Sequence, residues 1–185
     1  MRNLIFAINI SLDGCCDHAK FNPDEETLAY FTQLTRTADT FVYGRKTYEL
    51  MVPYWPDIAK NHLGQTRADN EFAEAFEAVK NIVVFSKSLD KAEGKNTNIV
   101  RTDLRDEILK LKQEQGKNIL TGGVAIPSQL MELGLIDEYY FIVHPIVAGT
   151  GRRLWEGVSL QDSLQLKLVE SKIFKSGVVV HRYVK

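Results

Sequence analysis

Apolar positions along this chain follow two rhythms, short unbroken runs and sets spaced three or four residues apart. The unbroken runs mark buried strands, and the wider spacing marks helices with one apolar face. Leu4 to Ile10 is the first strand, followed by a loop through Asp13-Gly14. Pro23-Asp24-Glu25-Glu26 opens a helix, with proline and acidic residues in its first turn and a core face of Leu28, Phe31 and Leu34. Thr40 to Tyr43 is a strand, then comes a short helix from Arg45 to about Met51, and Pro53 and Pro56 mark a loop. Phe72, Phe76 and Val79 give a helix over Arg67 to Val79, and Ile82 to Phe85 and Ile99-Val100 give two strands. Leu104, Ile108 and Leu111 lie on a helix ended by Gly116. Asn118 to Thr121 then forms a strand running into Gly122-Gly123. A helix with Leu130, Met131 and Leu133 stops at Gly134, and Tyr139 to Val143 is a strand. Leu164 to Phe174 and Val178 to Val184 form an antiparallel hairpin around Ser176-Gly177.

Strands that alternate with helices imply a mostly parallel central sheet with helices on both faces, and the hairpin adds an antiparallel edge. The expected fold class is α/β, a three-layer α/β/α arrangement, in a single domain over 1–185. No repeat, low-complexity tract or linker interrupts it.

Two strand-to-helix junctions carry glycine, at Gly44-Arg45-Lys46-Thr47 and at Thr121-Gly122-Gly123-Val124. Glycine lets a backbone approach a ligand closely. A helix that begins there points unpaired N–H groups and its positive dipole end at that ligand. Two such junctions, one with Arg45 and Lys46, suit a ligand with more than one phosphate, such as a dinucleotide.

Charge and composition narrow the field. The 185 residues carry a formal net charge of −1, so no overall basic field points to nucleic acid. No apolar run reaches the roughly 20 residues that span a bilayer, and the short apolar start reads as a strand rather than a signal peptide. Cys15 and Cys16 are the only cysteines; they form no ligand pattern, and the expected location is cytoplasmic.

Six motifs then fall in a recognisable order. They are Ala7 with Ser11-Leu12-Asp13-Gly14, Gly44-Arg45-Lys46-Thr47-Tyr48-Glu49, and Val83-Val84-Phe85-Ser86-Lys87. Thr121-Gly122-Gly123, Leu135-Ile136-Asp137-Glu138-Tyr139, and Pro145-Ile146-Val147-Ala148-Gly149-Thr150-Gly151 complete the set. In this order, over residues 4 to 184, the chain resembles the dihydrofolate reductase superfamily. The branch it is most similar to is that of the reductase domain of bacterial riboflavin biosynthesis proteins.

The resemblance implies an NADPH-dependent reductase, with Ala7 beside the nicotinamide carboxamide and Thr47 capping the pyrophosphate region. Gly44, Arg45 and Lys46 would lie near the adenosine phosphates, and Ser86 and Lys87 would hold the 2′-phosphate. Thr121, Gly122 and Gly123 would let the cofactor pass against the backbone. Val124 and Ala125 would open the helix that faces the pyrophosphate. In the family the Gly-Gly peptide is typically cis. It also implies a small polar, heterocyclic substrate like 5-amino-6-(5-phosphoribosylamino)uracil, and a homodimer.

The pattern departs from the family in two places. Dihydrofolate reductases carry an acidic residue on the first helix, where this chain aligns Thr27, unless a register shift of about 100° brings Glu26 there. That argues against dihydrofolate. The deaminase signature, H-x-E with P-C-x-x-C, is absent from the sequence.

The proton source is open among water, Asp13 and His18; Asp13 is alternatively a turn former before Gly14, or a residue that helps close a loop over the nicotinamide or contacts substrate. His144, Asp137, Glu138, Trp55 and Tyr48 read first as structural residues. The alternative function is a nucleotide-binding module without turnover, serving as a sensor or assembly subunit.

Overall fold

The computed structural model describes residues 1–94 and 96–185. They form two compact units, one of residues 1–2 and 23–120, the other of residues 3–22 and 121–185. Strand neighbours give an eight-stranded sheet in the order β4-β3-β2-β5-β1-β6-β8-β7. Its strands are β1 Leu4–Ser11, β2 Ala38–Gly44, β3 Asn81–Phe85, β4 Thr97–Val100, β5 Asn118–Thr121, β6 Glu138–His144, β7 Lys167–Ile173 and β8 Val179–Val184. The mixed, mostly parallel α/β class expected from the pattern is the one found.

In the first unit β2 runs parallel to β3, and β3 parallel to β4. Thr40, Phe41, Val42 and Tyr43 are all buried. An unbroken buried strand has both faces covered, as a parallel sheet between helices requires. The helices of this unit are α1 Glu25–Arg36, α2 Arg45–Met51, α3 Tyr54–Asn61, α4 Arg67–Glu77 and α5 Leu104–Gln113.

Three local expectations are corrected here. Asp24, not proline, begins α1: its carboxylate accepts from the Thr27 amide at 2.7 Å, which leaves Pro23 outside the helix. The inward face of α1 is Thr27, Thr32, Leu34 and Thr35, whereas Leu28 and Phe31 are only half-buried. Threonine buries its methyl group while the Thr32 hydroxyl donates to the Leu28 carbonyl at 2.9 Å, so a polar letter hides an apolar surface. Residues 54–61 are a helix rather than a loop, because Pro53 and Pro56 lie where a helix needs no N–H from them.

The same unit is fastened by Arg2, which is 7% exposed. Its guanidinium pairs with Asp39 and donates to Thr40 Oγ1 at 2.8 Å and to the Lys117 carbonyl at 2.6 Å.

In the second unit β1 runs parallel to β6, with Ala7 opposite Tyr140 and Ser11 opposite His144. β6 and β8 are antiparallel, as are β8 and β7. Its helix is α6 Ala125–Glu132, which carries Pro127 in its first turn. The expected hairpin is present, though its first strand begins at Lys167 rather than Leu164.

Candidate cofactor site

Each unit supplies a strand end of the kind that binds ligands in open α/β sheets. In the first unit Gly44 is opposite Phe85, so Arg45 and Ser86 follow directly at the carboxyl ends of adjacent parallel strands. Gly44 is extended, with φ −85° and ψ 166°, and no side chain caps α2. Arg45 and Lys46 are exposed, and Thr47 is half-buried. Arg45 pairs with Glu49 at 3.2 Å in a surface pair with both side chains 45% exposed. Such a pair is worth little and gives way easily to a phosphate. The Ser86 hydroxyl oxygen accepts from the amides of Ser88 at 3.2 Å and Leu89 at 3.0 Å. A hydroxyl can also donate, and no acceptor for it is found among the described residues; the exposed Lys87 follows it.

In the second unit Ala7 and Thr121 are buried, and Gly122 lies against the Ala7 backbone. A Cβ on Gly122 would meet Ala7 O at 3.4 Å and otherwise open space. Gly123 has φ 81°, in the left-handed region. No peptide bond among the described residues is cis, so the cis expectation for Gly122-Gly123 is corrected: the positive φ at Gly123 turns the chain instead. Val124 precedes α6 without a side-chain cap, and Ala125 is exposed. By contrast α1, α4 and α5 are capped by Asp24, Thr66 and Asp103. The amides that open α2 and α6 keep the capacity for an anion.

Asp13 sits in a network of donors. Its carboxylate accepts from Ser11 Oγ at 2.5 Å and from the amides of Ala148 at 2.9 Å and Gly149 at 3.0 Å. Arg153 stands 3.3 Å away and also donates to the Asp13 carbonyl. The Ser11 hydrogen bond, then the Ala148 amide, holds the carboxyl far below the usual carboxylate range. The same donors favour the ionised form of the carboxyl. Its work is to clasp the loop after β1 to residues 146–153, helped by Leu12 N to Ile146 O and Leu154 N to Gly14 O, both 2.9 Å.

Asp13→Asn is expected to speed amide hydrogen exchange at Ala148 and Gly149 on the order of tenfold. A depressed carboxyl contributes above its unfolded pKa and loses that contribution as pH falls through the folded one. The difference from wild type is therefore expected to shrink below the ordinary Asp value of 3.8. Equal exchange at pH 7 would remove the clasp.

His18 lies in the turn His18–Lys20, 69% exposed and 3.8 Å from Asp17. No hydrogen bond among the described residues joins it to Asp13. Cys15 is buried and Cys16 half-buried, and burial, then Cys15, pushes the Cys16 thiol up, away from reactivity. On α1 Thr27 is fully buried and Glu26 half-buried.

Tyr48 and Trp55 pack: the Tyr48 hydroxyl accepts from Glu93 N at 2.6 Å, and Trp55 meets Phe72 edge-on at 4.5 Å. Asp137 accepts from Leu4 N at 2.7 Å, and Glu138 holds Arg182 at 2.9 Å. His144 Nε2 is 2.8 Å from Asn9 Oδ1, a pairing no local signal announces. Arg153 was equally invisible as the partner of Asp13, since the two lie in distant parts of the chain.

The mostly parallel sheet and its helices define an α/β protein. The chain belongs to the RibD C-terminal domain family, whose model matches residues 2–180. It is 30% identical to YyaP of Bacillus subtilis (strain 168), an uncharacterized protein, over 96% of this chain and 92% of that one. Two solved structures share the fold. A pyrimidine reductase-like protein of Corynebacterium diphtheriae is 16% identical, with a TM-score of 0.66 over 99% of this chain and 91% of its own. A Thermotoga maritima diaminohydroxyphosphoribosylaminopyrimidine deaminase/5-amino-6-(5-phosphoribosylamino)uracil reductase is 15% identical, with a TM-score of 0.67 over 99% of this chain and 56% of its own. No helix among the described residues is long and apolar enough to cross a membrane.

Proposed function

We propose that residues 1–185 act as one cytoplasmic, NADPH-dependent reductase domain, paired with a second copy. Its substrate is a small polar heterocycle, of the pyrimidine or pterin kind, resembling 5-amino-6-(5-phosphoribosylamino)uracil. The observation that carries this reading is the register of Gly44 with Phe85. It sets a helix start with no side-chain cap, with Arg45, beside a serine whose hydroxyl oxygen accepts from two amides.

Arg45, Lys46 and Lys87 supply the positive charge for the adenosine phosphates, with Arg45 suited to a two-pronged grip. Thr47 and Ser86 add hydroxyl donors, and the Gly44 junction keeps backbone close to the ligand. Ala7, Thr121, Gly122 and Gly123 form the bare backbone for the nicotinamide end, and Val124 and Ala125 open α6 toward the pyrophosphate. NADPH supplies the hydride when bound; the protein supplies orientation and electrostatics. The proton comes from water or from a loop group, Asp13 or His18.

Arg45→Ala is expected to weaken NADPH binding by about 1–3 kcal/mol. Unchanged affinity in a fluorescence titration would displace the phosphate assignment. A second reading, a nucleotide-binding module without turnover, draws on Thr27: the first helix buries a hydroxyl, not a carboxylate, at that position. NADPH consumption in the presence of pyrimidines and pterins separates the two, because a module binds the cofactor without oxidising it.

A further inference from the structure

Strand β1 turns alternate residues to one face of the sheet, which puts Asn9 on the side of Ala7, one pleat closer to the carboxyl end. β6 sets His144 opposite Ser11, further along the same face. Asn9 is half-buried, and its Oδ1 lies 2.8 Å from His144 Nε2. An amide oxygen only accepts, so the ring carries its proton on Nε2 and donates to Asn9. His144 is 6% exposed, and the ring of Phe21, from the loop after β1, lies over it at 4.8 Å and 38°. A ring so enclosed has little room to turn, and it holds the Asn9 amide in one of its two orientations.

That orientation has a chemical consequence. With Oδ1 turned to His144, the Nδ2 hydrogens are directed away from it. They meet no acceptor among the described residues, and the amide nitrogen is not sealed off from a ligand. An amide free to flip offers a donor or an acceptor equally, whereas this one presents N–H alone. Ala7 and Gly122, assigned above to the nicotinamide end of the cofactor, lie in the same compact unit as Asn9 and His144.

From this arrangement we infer that Asn9 determines substrate specificity: its amide N–H donates to a ring carbonyl of the substrate, with His144 as the positioning residue behind it. The substrate class narrows to oxo-pyrimidines and oxo-pterins, rings that carry a carbonyl where an amino-substituted ring carries a donor. The inference rests on the reading of the chain as an NADPH-dependent reductase of such heterocycles. A site built around a donor rejects a ring that brings a second donor, because both groups are then left unpaired.

The test uses the full chain loaded with NADP+, so that no hydride moves. The probe is 5,6-diaminouracil, and its counterpart is 2,4,5,6-tetraaminopyrimidine, which has amino groups in place of both carbonyls. Heteronuclear NMR reads the Asn9 side-chain amide, assigned by its absence in Asn9→Asp, and titration gives the affinities. The amide signal is expected to shift with diaminouracil, which is expected to bind about tenfold tighter than tetraaminopyrimidine. Asn9→Asp keeps an acceptor for His144 but offers no donor, and is expected to lose that preference while still binding NADPH. His144→Leu is expected to lose it as well, and His144→Gln, which restores an N–H, to regain it. The same spectra check that each variant is folded. Equal affinity for the two pyrimidines in wild type, or a preference that survives Asn9→Asp, overturns the inference. So does an Asn9 amide that shifts with NADP+ alone and not with diaminouracil, which assigns it to the nicotinamide carboxamide. If neither pyrimidine binds, the inference falls, and an NADPH titration of the same sample shows whether the cofactor reading falls with it.

Discussion

Arg2→Ala is expected to destabilise the protein by about 3–5 kcal/mol, the range for breaking a buried ion pair from one side. Arg2 lies near the chain start, yet its side chain is 5% exposed and that of its partner Asp39 is 13% exposed. The guanidinium also satisfies Thr40 Oγ1 and the Lys117 carbonyl, while Asp39 accepts from the Lys117 amide at 2.9 Å. Removing the arginine leaves a nearly buried carboxylate without its countercharge and a carbonyl without its donor. Against a total stability of about 5–15 kcal/mol, that is a large share.

The pH dependence has a definite sign. Burial raises the Asp39 pKa, but the Lys117 amide and Arg2 outweigh it and the net shift is downward. A depressed carboxyl stabilises above its unfolded pKa and stops doing so as pH falls through the folded one. The gap between wild type and Arg2→Ala is therefore expected to be widest near neutrality. It should narrow below the ordinary Asp value of 3.8. Urea unfolding at pH 7 and at pH 3 measures both. A loss under about 1 kcal/mol at pH 7 would class the pair with exposed salt bridges.

Gly122→Val is expected to leave stability nearly unchanged while weakening NADPH binding by about 3 kcal/mol, on the order of a hundredfold. The two halves of this expectation have one cause. A Cβ at Gly122 meets only Ala7 O, at 3.4 Å, and projects otherwise into open space. The folded chain can accommodate it, since the positive φ belongs to Gly123 and not to Gly122. A cofactor passing along that backbone would lose the same space. Thermal unfolding and a titration on one sample separate the effects. Equal affinity in the variant would mean that no ligand approaches Gly122.

The fold was legible where local pattern and tertiary environment agree. The strand at Asn118–Thr121 and the helix at Arg45–Met51 fall where glycine and β-branched runs put them. Pro53 and Pro56 misled because proline breaks a helix only past its first turn. The buried face of α1 was obscured because Thr27, Thr32 and Thr35 count as polar by letter yet bury as hydrophobes. At the candidate site, the glycines and cations could be placed from the sequence because strand ends locate them. Asp13 could not be assigned, because its state depends on Ala148, Gly149 and Arg153, which the fold alone brings to it. Its hydrogen bonds tie the loop after β1 to residues 146–153, a loop-closing role the sequence left open beside that of a turn former.

The most direct measurement is a titration of the purified protein with NADPH, followed by fluorescence, with NADH alongside as control. The account predicts saturable binding that is markedly tighter for NADPH, because Arg45, Ser86 and Lys87 are assigned to the extra phosphate. No binding of either nucleotide, or equal binding of both, would contradict it.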